Sequence, residues 1–142
     1  MLIHYRFKWL GLALLIAGCF FTFLYDNGIS IESPVLAIVS SFMRTRFFIV
    51  FQANITDELA LLSYFTGLML LCISKEKNEK PEYMAIRIKS LLYAAFLNAV
   101  FVVISILFIF GSAFIVALVL NLFSFLIFYL FSFLLFKFKN RP

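Results

Sequence analysis

Gln52-Ala53-Asn54-Ile55-Thr56-Asp57-Glu58-Leu59 is a cluster of polar and acidic residues set directly against a long apolar run that continues to Ile73. Asn54 or Thr56 is placed to cap a helix, and Asp57 and Glu58 fall in its first turn, where carboxylates meet the positive end of the helix dipole. A bilayer core of about 30 Å takes about 20 helical residues, so a helix from Asp57 to Ile73 is just long enough to cross it. A helix begun at Phe47 would be overlong and would draw both carboxylates into hydrocarbon. This stretch therefore reads as a helix start at a membrane boundary.

Composition supports a bilayer as the solvent. Of 142 residues, 65% are hydrophobic, 20% aromatic and 13% charged. Soluble domains carry roughly 45–50% apolar and about 25% charged residues, and a domain this small has too much surface to bury the excess. Four spans consume most of the chain, and no soluble domain fits beside them. The net charge of +5 points to cytoplasmic loops of a membrane protein rather than to nucleic acid. Cys19 and Cys72 fall in different runs, toward opposite leaflets, so no disulfide is expected between them. His4 has no cysteine or carboxylate near it in sequence, so neither a metal site nor a cofactor is expected.

Upstream of the opening stretch, Arg6 and Lys8 precede an apolar run over 9–25, with Trp9 and Tyr25 at its ends as interfacial aromatics. Ile16-Ala17-Gly18-Cys19 has the shape of a lipoprotein cleavage box. The apolar run continues past it through Phe20-Phe21-Thr22-Phe23-Leu24, where a polar segment would follow cleavage, so an uncleaved span is the preferred reading. Asp26-Asn27-Gly28 ends that helix, and Ser33-Pro34 marks a turn or an extended start. Residues 26–56 read as an outer interfacial segment, partly helical, with Phe42, Phe47 and Phe48 dipping into lipid. Arg44 and Arg46 would be costly any deeper.

Downstream, residues 74–89 form a charged loop, and Pro81 suits the first turn of a third helix starting near Glu82. That helix spans 90–110, Gly111-Ser112-Ala113 makes a tight turn, and the last span runs over 114–136 until Lys137, Lys139 and Arg141 stop it. With both ends and the middle loop inside, ten of the twelve Lys and Arg residues are cytoplasmic, a clear positive-inside bias. The fold expected is all-α: a polytopic membrane protein of four transmembrane helices in an antiparallel bundle, N-in and C-in, with spans 9–25, 57–73, 90–110 and 114–136 in one membrane domain.

Candidate functional residues are the polar groups that this layout places in or beside the membrane. Asn54, Thr56, Asp57 and Glu58 read either as a helix cap, with Arg44 or Arg46 as ion partners, or as part of a proton or ion path. Asn98 lies thirteen residues before Gly111, with Asn121 ten and Ser124 thirteen after it. At 1.5 Å per residue these depths agree within one turn, so Asn98 is placed to hydrogen-bond across the hairpin to Asn121 or Ser124, or to line a substrate pocket with them. Gly11, Gly18 and Thr22 on the first span, and Ala60, Ser63 and Gly67 on the second, form stripes of small residues that suit close helix packing. The basic loop is suited to contact anionic headgroups, although its glutamates weaken that. No Gly-x-Ser-x-Gly, His-Glu-x-x-His, phosphate-cradling glycine loop or Cys-x-x-Cys occurs, so no catalytic residue is expected.

Asn54-Ile55-Thr56-Asp57-Glu58, Ser74-Lys75-Glu76-Lys77, and Glu82 through Asn98 with Arg87 and Ser90-Leu91-Leu92, extending to Gly111 and Asn121, carry a resemblance. Over roughly the last two thirds, the chain resembles a group of small integral membrane proteins of Bacteroidetes-type bacteria. The resemblance implies a four-span protein of the inner membrane. It implies no activity and assigns no residue a role. The expectation is a non-enzymatic inner-membrane protein, either an accessory or scaffold subunit or a partner-dependent sensor. Its partners would be the lipid bilayer and a second copy or another membrane protein, with no nucleic acid. The alternative is a small oligomeric transporter or channel using Asp57 or Glu58 with Asn98 and Asn121.

Overall fold

The computed structural model describes residues 2–40, 46–77 and 80–139. It is mostly helical, in the order α1 (Phe7–Asp26), β1 (Glu32–Ser40), β2 (Arg46–Asn54), α2 (Thr56–Ile73), α3 (Glu82–Phe108) and α4 (Ser112–Lys139). All four helices are long and apolar enough to cross a membrane. The chain divides into two compact units, one made of residues 1–12 and 65–142 and the other of residues 13–64.

In the first unit, α3 and α4 lie side by side with opposite chain direction. Tyr83 meets the Phe133 ring, Arg87 meets Tyr129, and Asn98 meets Ser124. The buried stripe of α3 is Ile86, Arg87, Ser90, Ala94 and Ser105, and that of α4 is Ala117, Ser124, Tyr129, Ser132 and Phe133. Small and polar residues face the partner helix, while Leu92, Phe96, Val103 and Phe131 stay exposed. A protein that buries serines and exposes phenylalanines has its apolar surface against lipid. There helix association depends on close packing and hydrogen bonds rather than on the hydrophobic effect. Ser90 and Ser105 return their hydroxyls to the carbonyls one turn earlier, which satisfies both within their own helix. Gly11 belongs to the same unit. A Cβ there would lie 2.9 Å from the Gly67 carbonyl oxygen, so the small-residue stripes of α1 and α2 meet at that point.

In the second unit, a Cβ on Gly18 would lie 2.8 Å from the Tyr64 ring, and the Thr22 and Tyr64 hydroxyls are 3.0 Å apart. α1 runs unbroken past Cys19 and ends in a Schellman motif. Ile29 N–H donates to the Leu24 carbonyl and Gly28 N–H to the Tyr25 carbonyl, with Gly28 at φ +73°. That backbone conformation is why a glycine ends the helix here.

The segment after it corrects the sequence reading. Residues expected to be partly helical form an antiparallel hairpin, with Glu32 opposite Asn54, Val35 opposite Phe51 and Ala37 opposite Ile49. The reason is the density of β-branched and aromatic residues in Val35–Val39 and Phe47–Phe51, which fit a pleated ribbon better than a helix. Pro34 is tolerated because both strands of a two-stranded ribbon are edges. Burial alternates, with Ser33, Val35, Ala37, Ile49, Phe51 and Ala53 more covered than Leu36, Ile38 and Val50. Phe48, exposed, takes φ +52°, and its cross-strand position opposite Ile38 drops out of the ladder. Such a backbone is uncommon for a bulky residue. Phe42 and Arg44 lie outside the described residues, and of Arg46 the backbone alone is described.

Candidate functional site

At one end of the first unit, three chain segments far apart in sequence are tied together. Ile3 pairs with Ser74 as a short parallel bridge, through Ile3 N–H to the Ile73 carbonyl at 3.2 Å and Lys75 N–H to the Ile3 carbonyl at 2.9 Å. Beside it Glu76 bonds Lys8 at the start of α1 and, at 3.0 Å, Lys137 at the end of α4. Burial pushes the Glu76 carboxyl up, but the hydrogen bonds and charges of Lys8 and Lys137 outweigh it and leave it below its ordinary value of 4.5. The N-terminal segment, the loop after α2 and the end of α4 therefore share one end of this unit.

Arg87 forms the centre of that end. It is 6% exposed. Its guanidinium donates to the Cys72 carbonyl at 3.2 Å, to the Ser74 carbonyl at 3.0 Å and to the Tyr129 hydroxyl at 3.3 Å. It also lies over the Phe133 ring, 4.7 Å from the centroid. The Cys72 carbonyl is among the last of α2, which no intrahelical N–H reaches, and Ser74 follows the helix directly; a cation there also meets the negative end of the helix dipole. One side chain thus caps α2 from α3 and bonds α4. A rigid planar fork of donors does this where an ammonium would not.

Cavities flank this arginine. The larger, of about 420 Å³, is lined from α2 by Phe65, Met69 and Cys72, from α3 by Met84, Arg87 and Leu91, and from α4 by Phe125 and Tyr129. The smaller, of about 220 Å³, is lined by Lys8, Ser74, Glu76 and Phe133 among others. Cys72, Arg87 and Tyr129 line both.

The residues singled out from sequence have other places. Asn54 accepts the Thr56 N–H at 3.0 Å and the Thr56 hydroxyl at 2.6 Å, an Asx-type start to α2. Thr56, fully buried, accepts the Ile31 N–H at 3.0 Å and so ties the entry of the hairpin to the start of α2. Asp57 and Glu58 occupy the first turn of α2, exposed. Ser124 donates to the Asn98 side chain across the α3–α4 pair, and Asn121 accepts nothing from Asn98. Among the described residues, the buried side-chain nitrogen without a partner is that of Asn121. Asp57, Glu58, Asn98 and Asn121 line neither of the two cavities. Asp57 and Glu58 fall in the second unit, Asn98 and Asn121 in the first.

Sequence reading placed Arg87 among loop charges and missed its role. The available signal was spacing: Arg87, Ser90 and Ala94 stand at i, i+3 and i+7, a stripe of one helix face. No group of three or more metal-ligating residues occurs among the described residues. No family model, no curated protein and no solved structure matches the chain.

Proposed function

We propose that this is a non-enzymatic protein of a bacterial inner membrane, a four-span antiparallel bundle with both termini cytoplasmic, acting as an accessory subunit or scaffold for a membrane partner. The observation that carries this reading is how the buried polar groups are used. Thr22 with Tyr64, Ser124 with Asn98 and Arg87 with Tyr129 join helix to helix, and Glu76 ties the loop after α2 to Lys8 of α1 and Lys137 of α4. Polar side chains spent on holding helices together serve a fixed surface, whereas a conduit needs them turned toward a shared path. The orientation is supported by the gathering of Lys8, Lys75 and Lys137 at one end of the first unit, since such basic clusters are retained in the cytoplasm. The resemblance noted from the sequence points to the same location.

Purification in several mild detergents with quantitative mass spectrometry tests the role. A stoichiometric membrane-protein partner is expected in each, and liposomes holding the chain alone are expected to stay tight to protons and ions. Recovery of the lone chain in every detergent contradicts the subunit role. A flux abolished by Asp57→Asn or Glu58→Gln would establish the transporter instead.

A further inference from the structure

The N-terminal segment reaches both cavities. Ile3 is bonded on either side of Ser74, its N–H to the Ile73 carbonyl and its carbonyl to the Lys75 N–H. Leu2, just before it, lines the larger cavity with Ile73, Met84 and Ile88. Lys8, further on, lines the smaller cavity and holds Glu76. Cys72 lies behind both, 8% exposed, with its thiol turned to the Leu126 carbonyl at 3.7 Å. One short stretch of chain therefore forms part of the wall of each cavity at the end where α2 stops.

The two sides of the Ile3–Ser74 contact are held unequally. The Ser74 side is fixed from elsewhere: Arg87 bonds the Cys72 and Ser74 carbonyls, the Ser74 hydroxyl bonds the Leu70 carbonyl, and Lys137 holds Glu76 at 3.0 Å. The Ile3 side leads into a turn that carries its own bonds, Phe7 N–H to the His4 carbonyl at 3.0 Å and Lys8 N–H to the Tyr5 carbonyl at 3.2 Å, with His4 and Arg6 exposed. That turn does not depend on Ser74. The Ile73 carbonyl, the last of α2, accepts water as readily as it accepts the Ile3 N–H. Few buried contacts and solvent-facing backbone bonds mark a segment that opens locally before the fold opens as a whole. We propose that residues 2–4 are a detachable strap, hinged at the turn from His4 to Phe7. Its release from Ser74 withdraws Leu2 from the larger cavity and admits water to Cys72. The device rests on the fold of the first unit, and on neither a subunit role nor an orientation in the membrane.

Cys72 is the reporter. In a Cys19→Ser parent in mild detergent, its rate of modification is measured with a positively charged methanethiosulfonate, which stays out of the detergent around the spans. Ile3→Pro, which removes the N–H bonded to Ile73, is expected to raise the rate about tenfold. Deletion of residues 2–4 is expected to raise it at least as much, and it serves as the second variant should the Lys75 N–H hold Ile3→Pro in place. Arg6→Ala, an exposed side chain beside the hinge, is expected to leave the rate unchanged. A second reporter, Ser105→Cys in a chain without Cys19 and Cys72, stands at a buried position toward the other end of α3 and is expected to stay unreactive with or without residues 2–4. Equal rates in the parent and the deletion, an equal gain in Arg6→Ala, or a Ser105→Cys thiol that the deletion also makes reactive would overturn the proposal.

Discussion

Two polar clusters hold the α3–α4 pair together, and they are built differently. The one at the charged end has Arg87 bonded to α2 and α4, with Glu76 beside it joining Lys8 and Lys137. The one further along the pair has neutral groups, Ser124 with Asn98, and leaves the Asn121 side-chain nitrogen without a partner. The difference follows from what each end of a membrane helix offers. Near a helix terminus, backbone carbonyls need donors, so a buried arginine there completes bonds that would otherwise be missing. In the middle of a span the backbone is already satisfied, and a polar side chain adds only what its own partner returns. The charged cluster should therefore dominate stability, and the neutral one should be nearly dispensable.

Arg87→Leu is the strongest way to break this contrast. It strands the Cys72 and Ser74 carbonyls and the Tyr129 hydroxyl, and a loss of about 3 kcal/mol is expected from thermal or denaturant unfolding in detergent. Arg87→Lys should recover less than half of it, since one ammonium does not reach acceptors on two helices in the same planar fork. If Arg87→Leu unfolds like the wild type, the asymmetry between the clusters is absent.

Glu76→Gln comes next. It leaves Lys8 and Lys137 facing a neutral amide, with an expected loss of about 1 to 2 kcal/mol at neutral pH. The Glu76 carboxyl is held below its ordinary value of 4.5. A lowered folded-state value means that the contribution is complete above 4.5 and disappears as pH falls through the folded value. The gap between wild type and Glu76→Gln should be constant from neutral to mildly acidic pH and close under stronger acid. A gap that widens on acidification contradicts the assignment.

Asn98→Leu should cost only about 0.6 kcal/mol, the typical worth of an interhelical hydrogen bond in a membrane protein. Asn121→Leu is the smallest effect and tests the sign. Removing an amide nitrogen without a partner should leave stability unchanged or raise it, by up to about 1 kcal/mol. A loss larger than that of Asn98→Leu would show that Asn121 has a partner in the membrane.

The sequence made the helices legible because their signal is length and apolarity, which a bilayer demands of any span. It also made the contact between Asn98 and Ser124 legible, since a tight turn at Gly111 sets equal depths on either side. The hairpin was not legible. Its open face carries Leu36, Ile38 and Val50, so the polar–apolar alternation that identifies a half-buried strand is blurred. The remaining cue was the β-branched density of Val35–Val39 and Phe47–Phe51. Arg87 was hidden for another reason. A basic residue near a charged loop reads as solvated, and only the path of the chain brings the end of α2 to it. Lys8, Glu76 and Lys137 come together through the same path, across separations that spacing does not encode.

The central proposal is that the N-terminal segment, the loop after α2 and the end of α4, which share one end of the first unit, lie on the cytoplasmic side, with the turn at Gly111 on the other. Labelling by a membrane-impermeant maleimide, in a background lacking Cys19 and Cys72, tests it with Lys77→Cys and Ser112→Cys in right-side-out and inverted vesicles. The account predicts that Lys77→Cys is labelled only in inverted vesicles and Ser112→Cys only in right-side-out ones. Labelling of both from the same side, or the reverse pattern, would contradict it.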